Sequence, residues 1–343
     1  MVQWCLPRPS LGVRWLQPVS WLYGALSAVR RALYAVQWLR RHEAPCPVVV
    51  VGNLVAGGAG KTPTVMALVT WLQAQGRKPG VISRGHARQG AGSALVVSGS
   101  AALDVGDEPL LIQRRTAVPV AVGRDRVAAA RLLCASHPEI DVLVADDGLQ
   151  HLALQREVNV LLFDDRGAGN GLLLPAGPLR EPMPASVPSG TLVLYTAGRS
   201  TTPLPGYLGQ RMLMGIVPLA DWWNDPHAPP RPLKMLLGRT LIAAAGLARP
   251  EGFFDMLEAA GLQVRRLPLP DHDALQRLPW AGQSGDVIVT EKDAVKLRPD
   301  REDCARVWVA RLDFVPEPAF FTALQALLQG SAHRSCTPTA ALP

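Results

Sequence analysis

Residues 48–62, Val-Val-Val-Val-Gly-Asn-Leu-Val-Ala-Gly-Gly-Ala-Gly-Lys-Thr, join a run of β-branched residues to a glycine-rich loop that closes on Lys61 and Thr62. A strand, such a loop and the start of a helix together form a cradle for a nucleoside triphosphate. Glycines let backbone N–H groups converge on phosphate oxygens without side-chain obstruction, and the following helix adds its positive end. Lys61 is expected to reach the β- and γ-phosphates, and the Thr62 hydroxyl to ligate Mg²⁺. The expected nucleotide-binding residues are Val55, Ala56, Gly57, Gly58, Ala59, Gly60, Lys61 and Thr62. The usual spacing places glycine where this chain has Val55, so the loop is a variant.

From residue 48 onward, short apolar strands alternate with helical segments, which predicts an α/β fold of the P-loop type. Its sheet is mostly parallel with helices on both faces, and a second, smaller α/β domain follows. Candidate strands are 48–51, 80–83, 94–97, 118–122, 141–145, 158–163 and 191–195, with helices over 61–75, 108–115 and 124–136. Prolines and Trp222-Trp223 in 203–232 suggest an interdomain connection. The second unit has strands near 240–245, 263–268, 286–290 and 306–310 and a helix at 250–260. The resulting division is 1–44, an N-terminal basic segment; 45–205, a nucleotide domain; 206–235, a connection; 236–330, a smaller domain; and 331–343, a disordered tail.

The 343 residues carry 35 Lys+Arg against 28 Asp+Glu, a net charge of +7, and five of the cations are lysines. Lys61, Lys292 and Lys296 each fall inside a candidate motif. Five scattered cysteines, Cys5, Cys46, Cys134, Cys304 and Cys336, show no paired spacing, so neither a disulfide framework nor a zinc site is indicated and a reducing cytoplasm fits. Positive charge concentrates in residues 1–44, where Arg8, Arg14, Arg30, Arg31, Arg40 and Arg41 face a single acid, Glu43. Trp4, Trp15, Trp21 and Trp38 share that segment, and Leu22, Leu26, Val29, Leu33 and Val36 recur at helical spacing. Arg30-Arg31 interrupts any membrane-spanning run, and a signal peptide is a poor match. Two readings fit: a helix packed on the nucleotide domain, or an interfacial helix on anionic lipid, which tryptophan and arginine together favour. Nucleic acid is not the expected partner, because the charge lies in an apolar segment and not along a polar groove.

Several polar clusters sit where a parallel sheet gathers its ligands. Strand 141–145 ends in Asp146-Asp147-Gly148-Leu149-Gln150-His151, and an aspartate there is the expected Mg²⁺ partner of the P-loop threonine. Gly106-Asp107-Glu108-Pro109 opens a helix, with Asp107 either a cap or a reactive carboxylate. Asp271-His272-Asp273 follows a second-domain strand. If the domains face each other, a carboxylate oriented by histidine can take the proton of an attacking hydroxyl. Ser83-Arg84-Gly85 and Arg180-Glu181 lie on loops, where an arginine either solvates the surface or stabilises transferring phosphate. The charges of Thr290-Glu291-Lys292-Asp293 also suit a plain helix cap.

Taken in order, these motifs, together with Leu174-Pro175-Ala176-Gly177-Pro178-Leu179-Arg180-Glu181-Pro182 and Thr290-Glu291-Lys292-Asp293-Ala294-Val295-Lys296, resemble the tetraacyldisaccharide 4'-kinase family. The resemblance runs from about residue 15 to 325. It implies phosphorylation of a lipid A precursor, a membrane-embedded glycolipid, at the inner-membrane surface of a Gram-negative bacterium, with ATP and Mg²⁺. It also implies a cleft between two α/β domains. By motif match, Lys61 and Thr62 hold phosphate and metal, and Asp146 with Asp147 completes the metal site. The base is Asp107, paired to His272, while Arg180 and Glu181 position phosphate, metal or acceptor. Asp273 replaces a second histidine often found in the family, and His86 an aromatic residue. Two rival classes remain at this level: a P-loop ATPase or GTPase that switches partners, and a soluble small-molecule kinase.

Overall fold

The computed structural model describes Trp4 and residues 11–86, 88–97 and 99–330. The tail expected to be disordered, 331–343, lies outside the described residues, as do Cys5 and Arg8. After the N-terminal helix α1 (Leu11–Ala35), the chain forms β1 (Val48–Asn53), α2 (Lys61–Ala74), β2 (Pro79–Ser83), β3 (Ala94–Val96), α3 (Ala102–Val105), α4 (Asp107–Thr116), β4 (Val120–Val122), α5 (Arg126–Ser136), β5 (Val142–Asp146), β6 (Val158–Phe163) and β7 (Thr191–Tyr195). β1 pairs in parallel with β5 and β6, β2 with β5 and β4, and β6 with β7, while β3 runs antiparallel to β4.

Alternation along β1 shows why this sheet needs helices on both faces. Val49 and Val51 pack with Val65, Leu68 and Val69 of α2, whereas Val48 and Val50 pack with Val127, Ala130 and Leu133 of α5. A strand covered on both sides reads as a continuous apolar run, as Val48–Val51 does. Local signals set the helix starts. The Asp125 carboxylate accepts from the N–H of Val127 and Ala128 at the head of α5. At α4 the cap is Gly106, and Asp107 is the first helical residue, with its carboxylate accepting from the Glu108 N–H at 2.9 Å.

The C-terminal half continues the sheet. β8 (Tyr207–Pro218) leads through α6 (Leu219–Asn224) to β9 (Leu241–Ala245), α7 (Glu251–Ala259), β10 (Val264–Pro268), β11 (Asp286–Thr290), α8 (Glu291–Ala294), β12 (Val307–Pro316) and α9 (Pro318–Gly330). The sheet order is β10-β9-β11-β12-β8-β7-β6-β1-β5-β2-β4-β3. The stretch read as a connection, 206–235, therefore contains a long strand. β8 touches β7 in parallel at Tyr207 and Leu208 and then runs antiparallel to β12 along its length. Its residues 210–212 are exposed, so the two-stranded β8–β12 ribbon lacks the apolar alternation that marks the buried strands. α9, with no counterpart in the sequence reading, packs back on the first half, where Phe321 stacks on Trp71 of α2 at 5.0 Å.

α1 starts before the apolar stripe of Leu22 to Val36 and ends at Ala35, one residue short of its last member. It rests on the 172–181 loop through a narrow polar seam. The Ser20 hydroxyl donates to the Leu173 carbonyl at 2.8 Å, the Tyr23 hydroxyl to the Arg180 carbonyl at 2.9 Å, and Gly24 lets the Leu173 side chain approach. The apolar stripe largely points away: Leu22 is 61% exposed, Leu26 63% and Val29 56%, and Trp15 and Trp21 of the same helix are exposed as well. Among the described residues no helix is long and apolar enough to cross a membrane.

Candidate active site

The loop between β1 and α2 is held from outside by side chains. Arg166, just past β6, donates to the carbonyls of Ala56 at 2.9 Å and Gly58 at 3.2 Å, and Thr196 donates to that of Ala59 at 3.2 Å. The Asn53 amide donates to the carbonyls of Val55 and Gly57, while its oxygen accepts from Lys61 at 3.3 Å. Gly57 sits at φ 99° with the Arg166 guanidinium 3.2 Å from where a Cβ would stand, so a side chain there meets both strain and crowding. Val55 shows why the variant loop tolerates a non-glycine. It is buried and bridges Leu179 in extended conformation, and so needs no left-handed backbone. With the carbonyls engaged, the N–H groups of Gly57, Gly58, Ala59 and Gly60 have no protein acceptor among the described residues. They fit a phosphate.

At the end of β5, two adjacent carboxylates differ sharply. Asp146 is buried; Ser83 donates to one of its oxygens at 3.2 Å, and the other oxygen has no protein partner. Burial, then the charges of Glu108 and Asp147, push its pKa up to about 7. A buried carboxylate oxygen without a donor suits a cation or its water. Asp147, at φ 51°, sits between Lys61 at 3.5 Å and Arg180 at 3.1 Å. Burial raises its pKa, but these cations outweigh it and hold the carboxyl below the ordinary range. Arg126, buried beneath, donates to the carbonyls of Gly123, Asp146 and Asp147. Among the described residues no three His, Cys, Asp or Glu side chains form a ready-made metal cage. Mg²⁺ commonly takes one or two carboxylates and completes its shell with substrate phosphates and water. Thr62 is buried in the first turn of α2.

Asp107 and His272 meet across the two halves. Nδ1 of His272 lies 3.0 Å from Asp107 Oδ2 and 3.2 Å from Oδ1. Gly106, at φ 97°, starts α4 tightly against the turn after β2, where a Cβ would stand 3.1 Å from the Gly85 Cα. His272 itself has φ 60°, a strained conformation of the kind that collects at functional positions. Burial favours the protonated acid at Asp107, but the His272 hydrogen bond and the charges of Lys292 and Lys296 prevail and hold its pKa down. The same hydrogen bond, against burial, raises the pKa of His272. Of the two departures from the family pattern, His86 packs its ring 4.9 Å from that of His272, and Asp273 accepts from the Leu275 N–H in a local turn.

The structure thus brings Lys61, Asp147 and Arg180 into one contact chain and joins Asp107 to His272. Glu181 is a step farther out. It accepts from Gln150 at 3.3 Å, which in turn accepts from Arg180, and it pairs with Arg31 of α1 at 3.6 Å. His151 turns into the protein: burial, then Arg126, pushes its pKa down to about 4. Sequence reasoning did not find Arg166 or Arg126, and it included Asn53 in the 48–62 motif without giving it a role. Arg166 follows two aspartates at the carboxyl end of a predicted strand, and that was a usable signal. The pairing of these arginines with backbone carbonyls leaves no mark in sequence.

A family model described as tetraacyldisaccharide-1-P 4'-kinase matches residues 13–329. A tetraacyldisaccharide 4'-kinase of Methylibium petroleiphilum is 54% identical over 332 residues, covering 95% of this chain and 92% of that protein. The corresponding protein of Leptothrix cholodnii is 51% identical and covers 91% of each chain. Among solved structures, LpxK from Aquifex aeolicus in complex with ATP superposes with a TM-score of 0.76 at 27% identity, covering 93% of this chain and 99% of that one. The chain belongs to the tetraacyldisaccharide 4'-kinase family.

Proposed function

We propose that this protein transfers the γ-phosphate of ATP to the 4'-hydroxyl of a tetraacyl glucosamine disaccharide 1-phosphate, a step in lipid A biosynthesis. Family membership makes it a phosphotransferase acting on a hydroxyl group. The observation that carries the site assignment is the 3.0 Å contact between Asp107 and His272, contributed by different halves of the chain. A nucleotide switch has no use for such a pair, whereas transfer to an alcohol needs a proton acceptor.

In this reading the loop N–H groups from Gly57 to Thr62 cradle the phosphates, and Lys61 leaves Asp147 to meet charge at the β/γ bridge. Thr62, Asp146 and Asp147 would hold Mg²⁺, which when bound would neutralise phosphate charge. Asp107 takes the proton of the attacking hydroxyl, with its carboxylate aimed by His272. Arg180 steadies Asp147 and the transferring group, and Glu181 links the site to α1 through Arg31. The two halves act as the nucleotide domain and its smaller partner domain, divided as the sequence suggests. We assign α1 to the cytoplasmic face of the inner membrane of a Gram-negative bacterium. Its exposed Trp15, Trp21, Leu22 and Leu26, flanked by arginines, support that placement. A four-chain acceptor stays in the bilayer, because each CH₂ drawn into water costs about 0.8 kcal/mol. The test is transfer of labelled γ-phosphate to a purified tetraacyl disaccharide 1-phosphate in detergent micelles. Labelled lipid product supports the assignment, and ATP turnover indifferent to acceptor contradicts it.

A further inference from the structure

Lys292, the second residue of α8, reaches the dyad from the side opposite Asp107. Its ammonium lies 3.1 Å from Asp271 Oδ1, 3.2 Å from Glu108 Oε1 and 3.4 Å from His272 Nε2. An ammonium has three protons and no lone pair, and here it meets three acceptors. Burial works against the charge, but Glu108, Asp107 and Asp271 together keep Lys292 protonated well beyond its ordinary range. At 3.4 Å Lys292 asks Nε2 for a lone pair, since a protonated Nε2 would point N–H at N–H, and the Asp271 carboxylate stands farther from Nε2 at 3.8 Å. The single ring proton is left on Nδ1, facing Asp107. We propose that Lys292 is a positioning residue for phosphoryl transfer, holding His272 as the neutral Nδ1–H tautomer so that Asp107 remains an anionic base.

The charges around the ring explain why such a device is needed. Asp107 and Glu108 approach from α4, Asp271 from the ring's own loop, Lys292 from α8, Lys296 from just past its end, and His86 from the turn after β2. The Asp107 hydrogen bond and charge and the Asp271 charge favour imidazolium and on balance raise the ring's pKa, while burial and the Lys292 charge oppose them. Without Lys292 the ring stays protonated to higher pH, and a full positive charge beside Asp107 weakens its basicity. In the reaction the acceptor oxygen bonds phosphorus, the β/γ bridging oxygen departs with ADP, and the hydroxyl proton passes to Asp107. His272 keeps its own proton throughout.

This role rests on the kinase reading, and two measurements on the full-length protein separate the two. In ¹⁵N-histidine NMR, with the His272 signals assigned by loss in His272→Gln, the wild type at pH 8.5 shows a protonated Nδ1 and a bare Nε2. A protonated Nε2 at pH 8.5 overturns the proposal, and this spectrum needs neither acceptor nor a Lys292 variant. In the second, kcat is followed against pH for wild type, Lys292→Met and Lys292→Arg. The methionine variant should lose about 100-fold at pH 6.5 but less than about tenfold at pH 9, as the unopposed imidazolium titrates away. Arginine should restore most of the loss at low pH. An equal loss at every pH contradicts the proposal and leaves Lys292 a structural ion-pair partner. A wild type that labels no lipid removes the kinase reading but leaves the tautomer result standing.

Discussion

The phosphate cradle is assembled from neighbours in sequence, Asn53 to Thr62, whereas the Asp107–His272 pair joins side chains 165 positions apart. The cradle's geometry follows from β1, its glycines and the start of α2, with Arg166 and Thr196 bracing it from close by. The dyad inherits its geometry from the placement of one half of the molecule on the other, through the β8–β12 ribbon, α9 and the contact of Arg249 with Asp165. Chemistry built locally survives small shifts in packing. Chemistry shared between halves is exposed to changes far from the reacting atoms, because a misplacement of about 1 Å can cost 10²-fold.

The largest expected effect falls on the cradle. Lys61→Ala should lower kcat by at least about 10³-fold, the scale of losing a charge-stabilising group at transferring phosphate. Circular dichroism should show an intact fold, and near-normal kcat would remove the cradle from the mechanism. At the other end, Asp107→Ala or His272→Ala should each cost about 10²–10⁴ in kcat with little change in the KM for ATP. A rise in KM alone would assign the pair to nucleotide binding.

Asp146 sharpens the comparison through pH. Its folded pKa of about 7 lies above the ordinary 3.8, so between those values the folded state binds the extra proton. Stability of the nucleotide-free protein should therefore fall as pH rises from about 4 to 7, and level off above. Asp146→Asn, which lacks the charge, should melt several degrees above wild type at pH 8, at roughly 1–2 °C per kcal/mol for a chain this long. The gap should close at pH 5, while transfer activity is lost at both. Equal melting temperatures at pH 8 would mean that the carboxylate is already ionised and compensated.

On α1 and the segment just after it, Arg30, Arg40 and Arg41 changed together to glutamine should weaken binding to anionic vesicles by roughly 3 kcal/mol, at about 1 kcal/mol each. Arg31 is left out because it pairs with Glu181. Unchanged sedimentation with vesicles at physiological salt would leave α1 a packing element alone. The smallest effect is expected at the latch between halves. Arg249 is largely exposed, and exposed pairs contribute about 0–1 kcal/mol, so Arg249→Ala should reduce kcat no more than about fivefold. That loss should fall on kcat and spare ATP binding.

The same contrast governs what the sequence disclosed. Val48–Thr62 could be read directly, because a buried parallel strand and a phosphate loop each leave a contiguous pattern. The strands from β1 to β7 followed for the same reason, within a few residues at their ends. β8 did not, since Gly209, Gly215 and Pro218 and the exposed Arg211-Met212 break the alternation in a ribbon that is half solvated. α1 was legible as apolar and basic, but its seam of Ser20, Tyr23 and Gly24 was not, because small and polar contacts carry no periodicity. Asp107, His272 and Lys292 each stood out in its own motif. That Lys292 joins Asp271 to Glu108 depends on how α8 meets α4, a tertiary fact.

The central claim is that two halves supply one base, and a double-mutant cycle on Asp107 and His272 tests it most directly. With Asp107→Ala, His272→Ala and the double variant compared by kcat on the same acceptor, residues acting as a unit give strongly non-additive losses. The double variant should be barely slower than either single one. Losses that multiply in full would mean that Asp107 and His272 act independently, and would contradict the shared site.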